Sequence, residues 1–352
     1  MKPGSGAQHI VKELRGSVLF VLLAVGMSLP SPRRSGQDAQ HAPVTAVVAV
    51  GMTVGDMDRA VAFYSNFLSF NKISEEFEDS IDYQKLENVP GAKARLVRMR
   101  LGSTFVDLAQ YLTPKGKPVP PDSMSNDLWF QHLAIVVSDM GKAYERLKQN
   151  GVTGISDRPQ RLPRWNKQAA DIEAFYFKDP DGHPLELLHF PAGKGDSLWH
   201  QKTEALFLGI DHTAIAASNT DDSVSFYRSL GFQERGHSLN YGIEQEHLSG
   251  VAGARVRITS LKASSGPGIE LLEYENPKTG RPMPADERAN DLAHHQTTLM
   301  TTELRRTVET LCAARARFVS AASGCDRPFT RESKHSVLFR DPDGHVMELE
   351  EK

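Results

Sequence analysis

The chain has 352 residues, 39% of them hydrophobic and 24% charged, which excludes a disordered or collagen-like protein. Its 41 Lys and Arg against 44 Asp and Glu give a net charge of −3, which argues against a nucleic-acid-binding protein. Two cysteines, Cys312 and Cys325, are too few for a disulfide framework or a paired-cysteine zinc site.

The first segment has the layout of a secretory signal peptide. Lys2, Lys12 and Arg15 precede the apolar run 18–29, and a stretch rich in Pro, Ser and Arg follows. The run is shorter than the roughly 20 apolar residues that a membrane-spanning helix needs. We therefore predict an exported protein, periplasmic or secreted, with residues 1–43 as signal peptide and flexible leader. An uncleaved membrane anchor, or a misplaced start codon before a cytosolic enzyme, is the alternative.

The rest of the chain consists of two similar halves. AVAFYSNFLSF, which contains Phe63 and Tyr64, has its counterpart in SVSFYRSLGF at Phe226 and Tyr227. NDLWFQH matches NDLAHHQ, and FKDPDGHPLELL matches FRDPDGHVMELE. Each half has the size of one domain. We predict domains at 44–190 and 206–352, joined by a linker at 191–205.

Each half divides again into two similar parts. A strand-like run at 44–54 precedes a segment with apolar residues at helical spacing, and the same order returns at 133–149. In the second half, strand-like runs at 210–217 and 297–301 are followed by helices after Asp221 and Thr302. After each helix come alternating runs such as ARLVRMRL and PLELLHF, which predict antiparallel strands. The sequence therefore predicts an α+β fold of four βαβββ modules.

These segments resemble the vicinal oxygen chelate superfamily, which includes glyoxalase I, extradiol ring-cleaving dioxygenases and bleomycin-resistance proteins. The resemblance rests on GIDHTAIAASNTDDSVSFYRSLGF, on FQHLAIVVSDMGKAYERLKQNGV and on the two DPDGH-x-x-E endings, and it covers the chain after residue 44. It implies that paired modules curl their sheets around a divalent metal, as two glyoxalase-like curved-sheet domains. In each module the first strand supplies one ligand and a later strand supplies a carboxylate.

The resemblance assigns two such positions to each module. The assigned residues, in module order, are Ala49 and Asp107, His132 and Glu186, His212 and Glu270, and Gln296 and Glu348. Ala49 cannot bind a metal, and Gln296 is a weaker ligand than histidine. By strand alternation His294 shares a face with Gln296, so a bulge could supply a histidine to the fourth module. His183 and His345, which follow DPDG, are predicted as exposed turn residues.

The way the modules pair decides which ligand set is complete. Sequential pairing, as in the related dioxygenases, would leave both sets partly damaged. Crosswise pairing, as when glyoxalase I halves exchange modules, would join the second module to the third and the first to the fourth. We favour crosswise pairing because it gives one complete set, predicted as the metal site: His132, Glu186, His212 and Glu270.

Two imidazoles and two carboxylates suit one Ni, Co, Zn, Fe or Mn ion. In the resembling glyoxalase I, the metal polarises vicinal oxygens while a carboxylate moves a proton between adjacent carbons. The resemblance thus implies lyase or isomerase chemistry on a small vicinal-oxygen substrate. We predict Glu186 as the catalytic base and Glu270 as its counterpart.

Two other functions stay open at this point. A ring-cleaving dioxygenase is one, although the family's ring-cleaving signature has a histidine upstream of a segment like AFYFKDP and this chain has none there. A metal-free protein that sequesters a small ligand is the other. In every case we expect a small-molecule partner, no nucleic acid, no stable membrane span after signal cleavage, and a monomer or homodimer.

Overall fold

The computed structural model describes residues 43–321, 325 and 336–352. The predicted signal peptide lies outside the described residues. No described helix is long and apolar enough to span a membrane. Cys312 and Cys325 form a disulfide, which joins the end of the last helix to the segment that follows it.

The predicted βαβββ order is present in all four modules. The first comprises β1 (Val44–Thr53), α1 (Met57–Leu68), β2 (Asn71–Glu78), α2 (Ile81–Leu86), β3 (Lys93–Leu101) and β4 (Thr104–Thr113). The second comprises β5 (Gln131–Val137), α3 (Met140–Gln149), β6 (Gln160–Arg161), β7 (Glu173–Lys178) and β8 (Pro184–His189).

The third module comprises β9 (Phe207–Ala216), α4 (Thr220–Ser229), β10 (Gln233–Tyr241), α5 (Ile243–Ser249), β11 (Arg255–Lys262) and β12 (Gly268–Asn276). The fourth comprises β13 (His295–Thr301), α6 (Leu304–Ala313), β14 (Arg317–Phe318), β15 (Ser336–Arg340) and β16 (Val346–Glu351). The short helices α2 and α5 are additions that the hydrophobic pattern did not predict.

The modules pair crosswise into two eight-stranded sheets. One sheet, here the inner-module sheet, has the order β10-β11-β12-β9-β5-β8-β7-β6 and combines the second and third modules. The other, the outer-module sheet, has the order β14-β15-β16-β13-β1-β4-β3-β2 and combines the first and fourth. Each sheet therefore takes one module from each half of the sequence, and the predicted α+β architecture with two curved sheets is confirmed.

The main helices lie between the two sheets. One apolar cluster packs α1 and α3 against strands of both sheets, around Tyr64, Leu68, Leu133 and Leu147. A second cluster packs α4 and α6 in the same way, around Tyr227 and Leu311. Because strand residues alternate between faces, the side chains that do not enter these clusters lie on the opposite face of each sheet.

The repeated sequence motifs hold the modules of each half together. The Tyr64 hydroxyl donates to Asp179 Oδ2 at 3.2 Å, and the Tyr227 hydroxyl donates to Asp341 Oδ2 at 3.0 Å. Each bond joins the FY helix of one module to the DPDG turn of the next. The two modules of each half thus remain linked although they belong to different sheets.

The NDL motifs close the loops where the two modules of one sheet meet. Asp291 Oδ1 accepts from the Lys117 backbone N–H at 2.7 Å, and Asp127 Oδ1 accepts from the Arg281 backbone N–H at 2.9 Å. A glycine precedes each donor, and a Cβ at Gly280 would come within 1.8 Å of a backbone oxygen. Only glycine permits so close a crossing of two chain segments.

Candidate metal centre

The four residues of the predicted site lie at matching register positions around the centre of the inner-module sheet. On β9, His212 pairs with Gly268, two residues before Glu270 on the parallel neighbour β12. On β5, His132 lies two residues before Ala134, which pairs with Glu186 on β8. Since β5 and β9 are themselves neighbours, the two histidines come together and their ring centroids are 5.8 Å apart.

Three of the four side chains form one cluster, and the fourth, Glu270, contacts it through His212. Glu186 Oε2 lies 3.1 Å from His132 Nε2 and 3.6 Å from His212 Nε2. Glu270 Oε2 lies 3.4 Å from His212 Nε2. His132, Glu186 and His212 each offer a ligand atom within 4.8 Å of the other two. Such spacing is what a single shared cation requires.

His132 is buried without hydrogen bonds. Both of its ring nitrogens lack a hydrogen-bond partner among the described residues, because the short contact with Glu186 does not have hydrogen-bond geometry. The ring packs instead on Tyr176 and Phe130, at centroid distances of 4.7 and 5.7 Å. Burial lowers the pKa of His132, which keeps the imidazole neutral with a free lone pair. This is the form of histidine that binds a metal.

Asp211 orients the second histidine. Its Oδ2 lies 2.9 Å from His212 Nδ1, and its Oδ1 accepts from Trp199 Nε1 at 2.8 Å. A carboxylate on one ring nitrogen fixes the tautomer and directs the other nitrogen toward the cluster, as in many metal-binding histidines. Burial alone would lower the pKa of His212, but the surrounding carboxylates, Glu270 foremost, outweigh it and raise the pKa to about 9.

The two carboxylates differ in their surroundings. The Glu186 side chain is 6% exposed and lies between the histidines, whereas the Glu270 side chain is 22% exposed. Both border a cavity of about 280 Å³ whose other walls include Tyr176, Leu188 and Leu272. A small molecule in this cavity would therefore meet Glu270 at its polar end and apolar side chains elsewhere.

The outer-module sheet has the same register but a different chemistry. Ala49 pairs with Phe105, two residues before Asp107, and Gln296 lies two residues before Thr298, which pairs with Glu348. These four positions therefore correspond to those of the inner-module sheet.

In the outer-module sheet, however, the polar side chains bond one another. Gln296 Nε2 donates to Glu348 Oε2 at 3.0 Å, and Arg98 donates twice to Asp107 at 2.7 Å. His294 lies 3.4 Å from Gln296 Oε1 through its Nε2, and its Nδ1 is 2.7 Å from Glu287. The side chains at the positions of the inner-module ligands thus bond other side chains of the same sheet.

Two histidines differ from the expectation. His183 and His345, predicted as exposed turn residues, are 1% and 2% exposed, so that prediction was wrong. The DPDG turn directs each ring inward, where His183 Nε2 lies 2.7 Å from the Leu292 carbonyl and His345 Nε2 lies 3.1 Å from the Ala216 carbonyl. Both rings therefore connect the turns to neighbouring strands and do not reach the ligand clusters.

Sequence reasoning missed Asp211, Trp199 and Tyr176. Asp211 could have been found from the sequence, because it directly precedes His212 in GIDH and has no carboxylate counterpart at Val48. Trp199 lies in the segment predicted to be a linker, and Tyr176 was considered only as part of the AFYFKDP signature. Nothing local in the sequence places either ring beside a histidine.

The comparisons with known proteins agree with this architecture. The chain matches the Glyoxalase/Bleomycin resistance protein/Dioxygenase superfamily at residues 46–187 and 209–349. No curated protein matches it. The fold is similar to glyoxalase I from Zea mays (15% identity, 87% of this chain and 92% of that chain, TM-score 0.57). It is also similar to a putative dioxygenase from Bacillus subtilis (12% identity, 88% and 85% of the chains, TM-score 0.51). The chain therefore belongs to the Glyoxalase/Bleomycin resistance protein/Dioxygenase superfamily.

Proposed function

We propose that the protein is a divalent-metal-dependent enzyme that moves a proton between adjacent carbons of a small substrate with vicinal oxygens, in the manner of a glyoxalase I. The observation that carries the proposal is the buried His132 imidazole, which has no hydrogen-bond partner among the described residues and contacts a carboxylate. An unsatisfied buried polar group costs about 1–3 kcal/mol, and a bound cation would remove that cost.

The donor set fits a transition-metal ion. His132, His212, Glu186 and Glu270 offer two nitrogens and two oxygens, a mixture suited to Zn²⁺, Ni²⁺, Co²⁺, Fe²⁺ or Mn²⁺. Such an ion, when bound, supplies Lewis-acid polarisation of two adjacent substrate oxygens. Asp211 and Trp199 would hold the His212 ring in place whether or not substrate is present.

We assign the proton transfer to Glu270. Glu186 contacts both histidines and is almost fully buried, so its carboxylate has little freedom to move. Glu270 contacts one histidine and borders the cavity with a more exposed side chain. Its carboxylate is therefore the one that can accept a proton from one substrate carbon and return it to the next. Glu186, the base favoured by sequence alone, becomes the holding ligand.

The cavity suits a small substrate. Its volume of about 280 Å³ is close to the lower end of the range for ligand pockets, about 300–1,000 Å³. Tyr176, Leu188 and Leu272 form apolar walls beside the carboxylates. These walls would exclude water from a substrate carbon while Glu270 holds its proton.

The test is proton transfer by metal-reconstituted protein. Hemithioacetals made from methylglyoxal and a panel of thiols are offered in D₂O, and NMR follows their conversion. Glu270→Gln should lower kcat by about 10²- to 10⁴-fold. The matched control is Glu275→Gln on the same strand, where Glu275 pairs with Arg255 outside the cavity, and it should leave kcat unchanged. Catechols run in parallel: ring opening without proton transfer would contradict the proposal and assign a dioxygenase.

We further propose that the protein is exported. Its support is the Cys312–Cys325 disulfide, since disulfides persist in oxidising compartments and are rare in the cytosol. The amino-terminal leader pattern points the same way. Fractionation of the source cells, with sequencing of the mature amino terminus, tests this: a cytosolic protein that retains residues 1–43 would contradict export.

A further inference from the structure

The outer-module sheet encloses the larger of the two concave cavities. Its volume is about 500 Å³, compared with about 280 Å³ beside the candidate metal centre. Strands β2, β3, β4, β13 and β16 and helix α2 contribute its walls. The proposed enzymatic function makes no use of this space, although its volume is well within the range of ligand pockets.

The floor of this cavity is built from satisfied polar groups. The Glu348 carboxylate accepts from Gln296 at 3.0 Å and from the Thr298 hydroxyl at 3.2 Å. Arg98 is held by its double hydrogen bond to Asp107. These bonds hold polar groups in fixed positions, which favours direct contact with an organic ligand over metal coordination.

Glu87 is a buried carboxylate without a cationic partner among the described residues. It is 7% exposed, lines the cavity, and forms no ion pair with a lysine or arginine among the residues that the structure describes. The Tyr83 hydroxyl donates to the Tyr111 hydroxyl at 3.1 Å, and the Tyr111 hydroxyl acts on Glu87 by lowering its pKa against the larger effect of burial. One hydroxyl leaves most of the acceptor capacity of this carboxylate open to the cavity. Burial raises the pKa of Glu87 to about 7, as expected for a carboxylate without a cation.

The described side chains that line the cavity carry more negative than positive charge. Among the residues that the structure describes, two side chains with permanent positive charge line it, Lys85 and Arg98, and Arg98 is engaged by Asp107. His294 also lines it, but its charge faces Glu287 at 2.7 Å. Against Lys85 stand four carboxylates that have no lysine or arginine partner among the described contacts: Glu76, Glu78, Glu87 and Glu348. A ligand with a positive charge would therefore be favoured over a neutral or anionic one.

We propose that the cavity of the outer-module sheet is a metal-free binding site for a small organic cation that carries an ammonium group and hydroxyls, such as an amino alcohol or amino sugar. The ammonium group binds Glu87 and Glu348, and the ligand hydroxyls bond the side chains of Tyr83 and Gln296. The proposal is independent of metal chemistry in the inner-module sheet.

Isothermal titration near neutral pH tests it with ethanolamine and D-glucosamine. Each is paired with its N-acetylated counterpart, which keeps the hydroxyls and lacks the charge. At least one amine should bind with a Kd below about 1 mM, and its N-acetylated counterpart should bind at least about tenfold more weakly. Binding of neither amine, or equal binding of the acetylated partner, would overturn the proposal.

Variants locate the site. Glu87→Gln and, as a second probe of the same face, Glu348→Gln should each weaken amine binding about tenfold or more. The matched control is Glu75→Gln, because Glu75 is on β2 beside the cavity strand residues but pairs with Arg95 and Lys72. It should leave the affinity unchanged. If neither cavity variant weakens binding, the assignment is wrong. His132→Ala should retain amine binding, which separates this proposal from the proposed enzymatic function.

Discussion

The two curved sheets share one strand register and differ in how their central polar groups are satisfied. In the inner-module sheet, His132 is buried without a hydrogen bond and contacts the carboxylate of Glu186. In the outer-module sheet, Gln296 occupies the position of His132 and donates a hydrogen bond to Glu348. One face therefore leaves a buried imidazole without a hydrogen bond, and the other satisfies the corresponding side chain internally. The same strand register can thus hold unsatisfied ligand atoms in one sheet and a hydrogen-bonded polar group in the other.

The third and first modules show the same contrast. His212 is oriented by Asp211, while the corresponding Ala49 is preceded by Val48 and has neither a ligand atom nor an orienting carboxylate. The remaining carboxylate, Asp107, is bound by Arg98. Each ligand position of the outer-module sheet is thus empty of donors or internally paired, and its larger cavity is free for another kind of ligand.

The largest expected effect comes from removing an imidazole. His132→Ala and His212→Ala should each weaken metal binding at least about 100-fold, because each takes one of four donors from the inner-module sheet. Gln296→Ala, the corresponding change in the outer-module sheet, should leave the affinity unaltered. Calorimetric titration of Zn²⁺ or Ni²⁺ into the apo proteins measures this. A reversed pattern, with Gln296 required and His132 dispensable, would break the comparison.

Removal of the orienting carboxylate should have a smaller effect. Asp211→Asn retains the size of the side chain but loses the charge that fixes the His212 tautomer, so metal affinity should fall about 10–100-fold. Trp199→Phe removes only the hydrogen-bond donor to Asp211, and it should lower metal affinity less than Asp211→Asn does. The same metal titration applies, and unchanged affinity in Asp211→Asn would show that the carboxylate does not orient the ring.

Glu87 gives the outer-module sheet a distinctive dependence on pH. Because burial raises its pKa from 4.5 to about 7, the folded protein holds a proton there that the unfolded chain has released. Its contribution to stability therefore falls as pH rises through this interval. Glu87→Gln should increase the free energy of unfolding by about 3 kcal/mol at about pH 8 and by much less near pH 4.5.

Urea unfolding at several pH values checks this prediction, and a gain that is independent of pH would contradict it. Five other titratable groups interact with Glu87 from the elements packed around it. These are Tyr83, Tyr111, His294, Glu287 and Glu348.

The smallest expected effects concern the bonds that link the two sheets. Tyr64→Phe and Tyr227→Phe each remove one buried hydroxyl that donates to a DPDG aspartate, at an expected loss of about 1–2 kcal/mol of stability. Tyr227→Phe should lower stability slightly more than Tyr64→Phe. When Tyr64 is changed, Asp179 keeps its contact with the His183 ring, whereas no corresponding histidine-ring contact to Asp341 is found among the described contacts. Thermal unfolding measures both losses. A loss of stability in only one variant would show that this hydrogen bond does not stabilise both halves.

Much of this architecture could be predicted from the sequence because the modules have the same internal spacing. The interval between the FY motif and the first strand placed Ala49 and His212 at corresponding positions, and the paired strands show that correspondence. Strand alternation placed His132 on one face with Ala134, since side chains repeat every two residues in a strand. Motif spacing and strand alternation depend only on residues near one another in the chain, so the sequence alone could show them.

The sequence could not predict features that depend on contacts between distant segments. The hydrogen bond of Trp199 to Asp211 depends on how the segment after β8 returns to β9. The inward rings of His183 and His345 depend on carbonyl groups of other modules. The cavity around Glu87 depends on the packing of α2, which is too short to give a helical pattern of apolar residues.

The central claim is that one sheet binds a metal and the other does not. Elemental analysis of purified protein, reconstituted with excess Zn²⁺ or Ni²⁺ and then freed of unbound ion, tests it most directly. The account predicts about one ion per chain in the inner-module sheet. Two ions per chain, or none under metal-replete conditions, would contradict it.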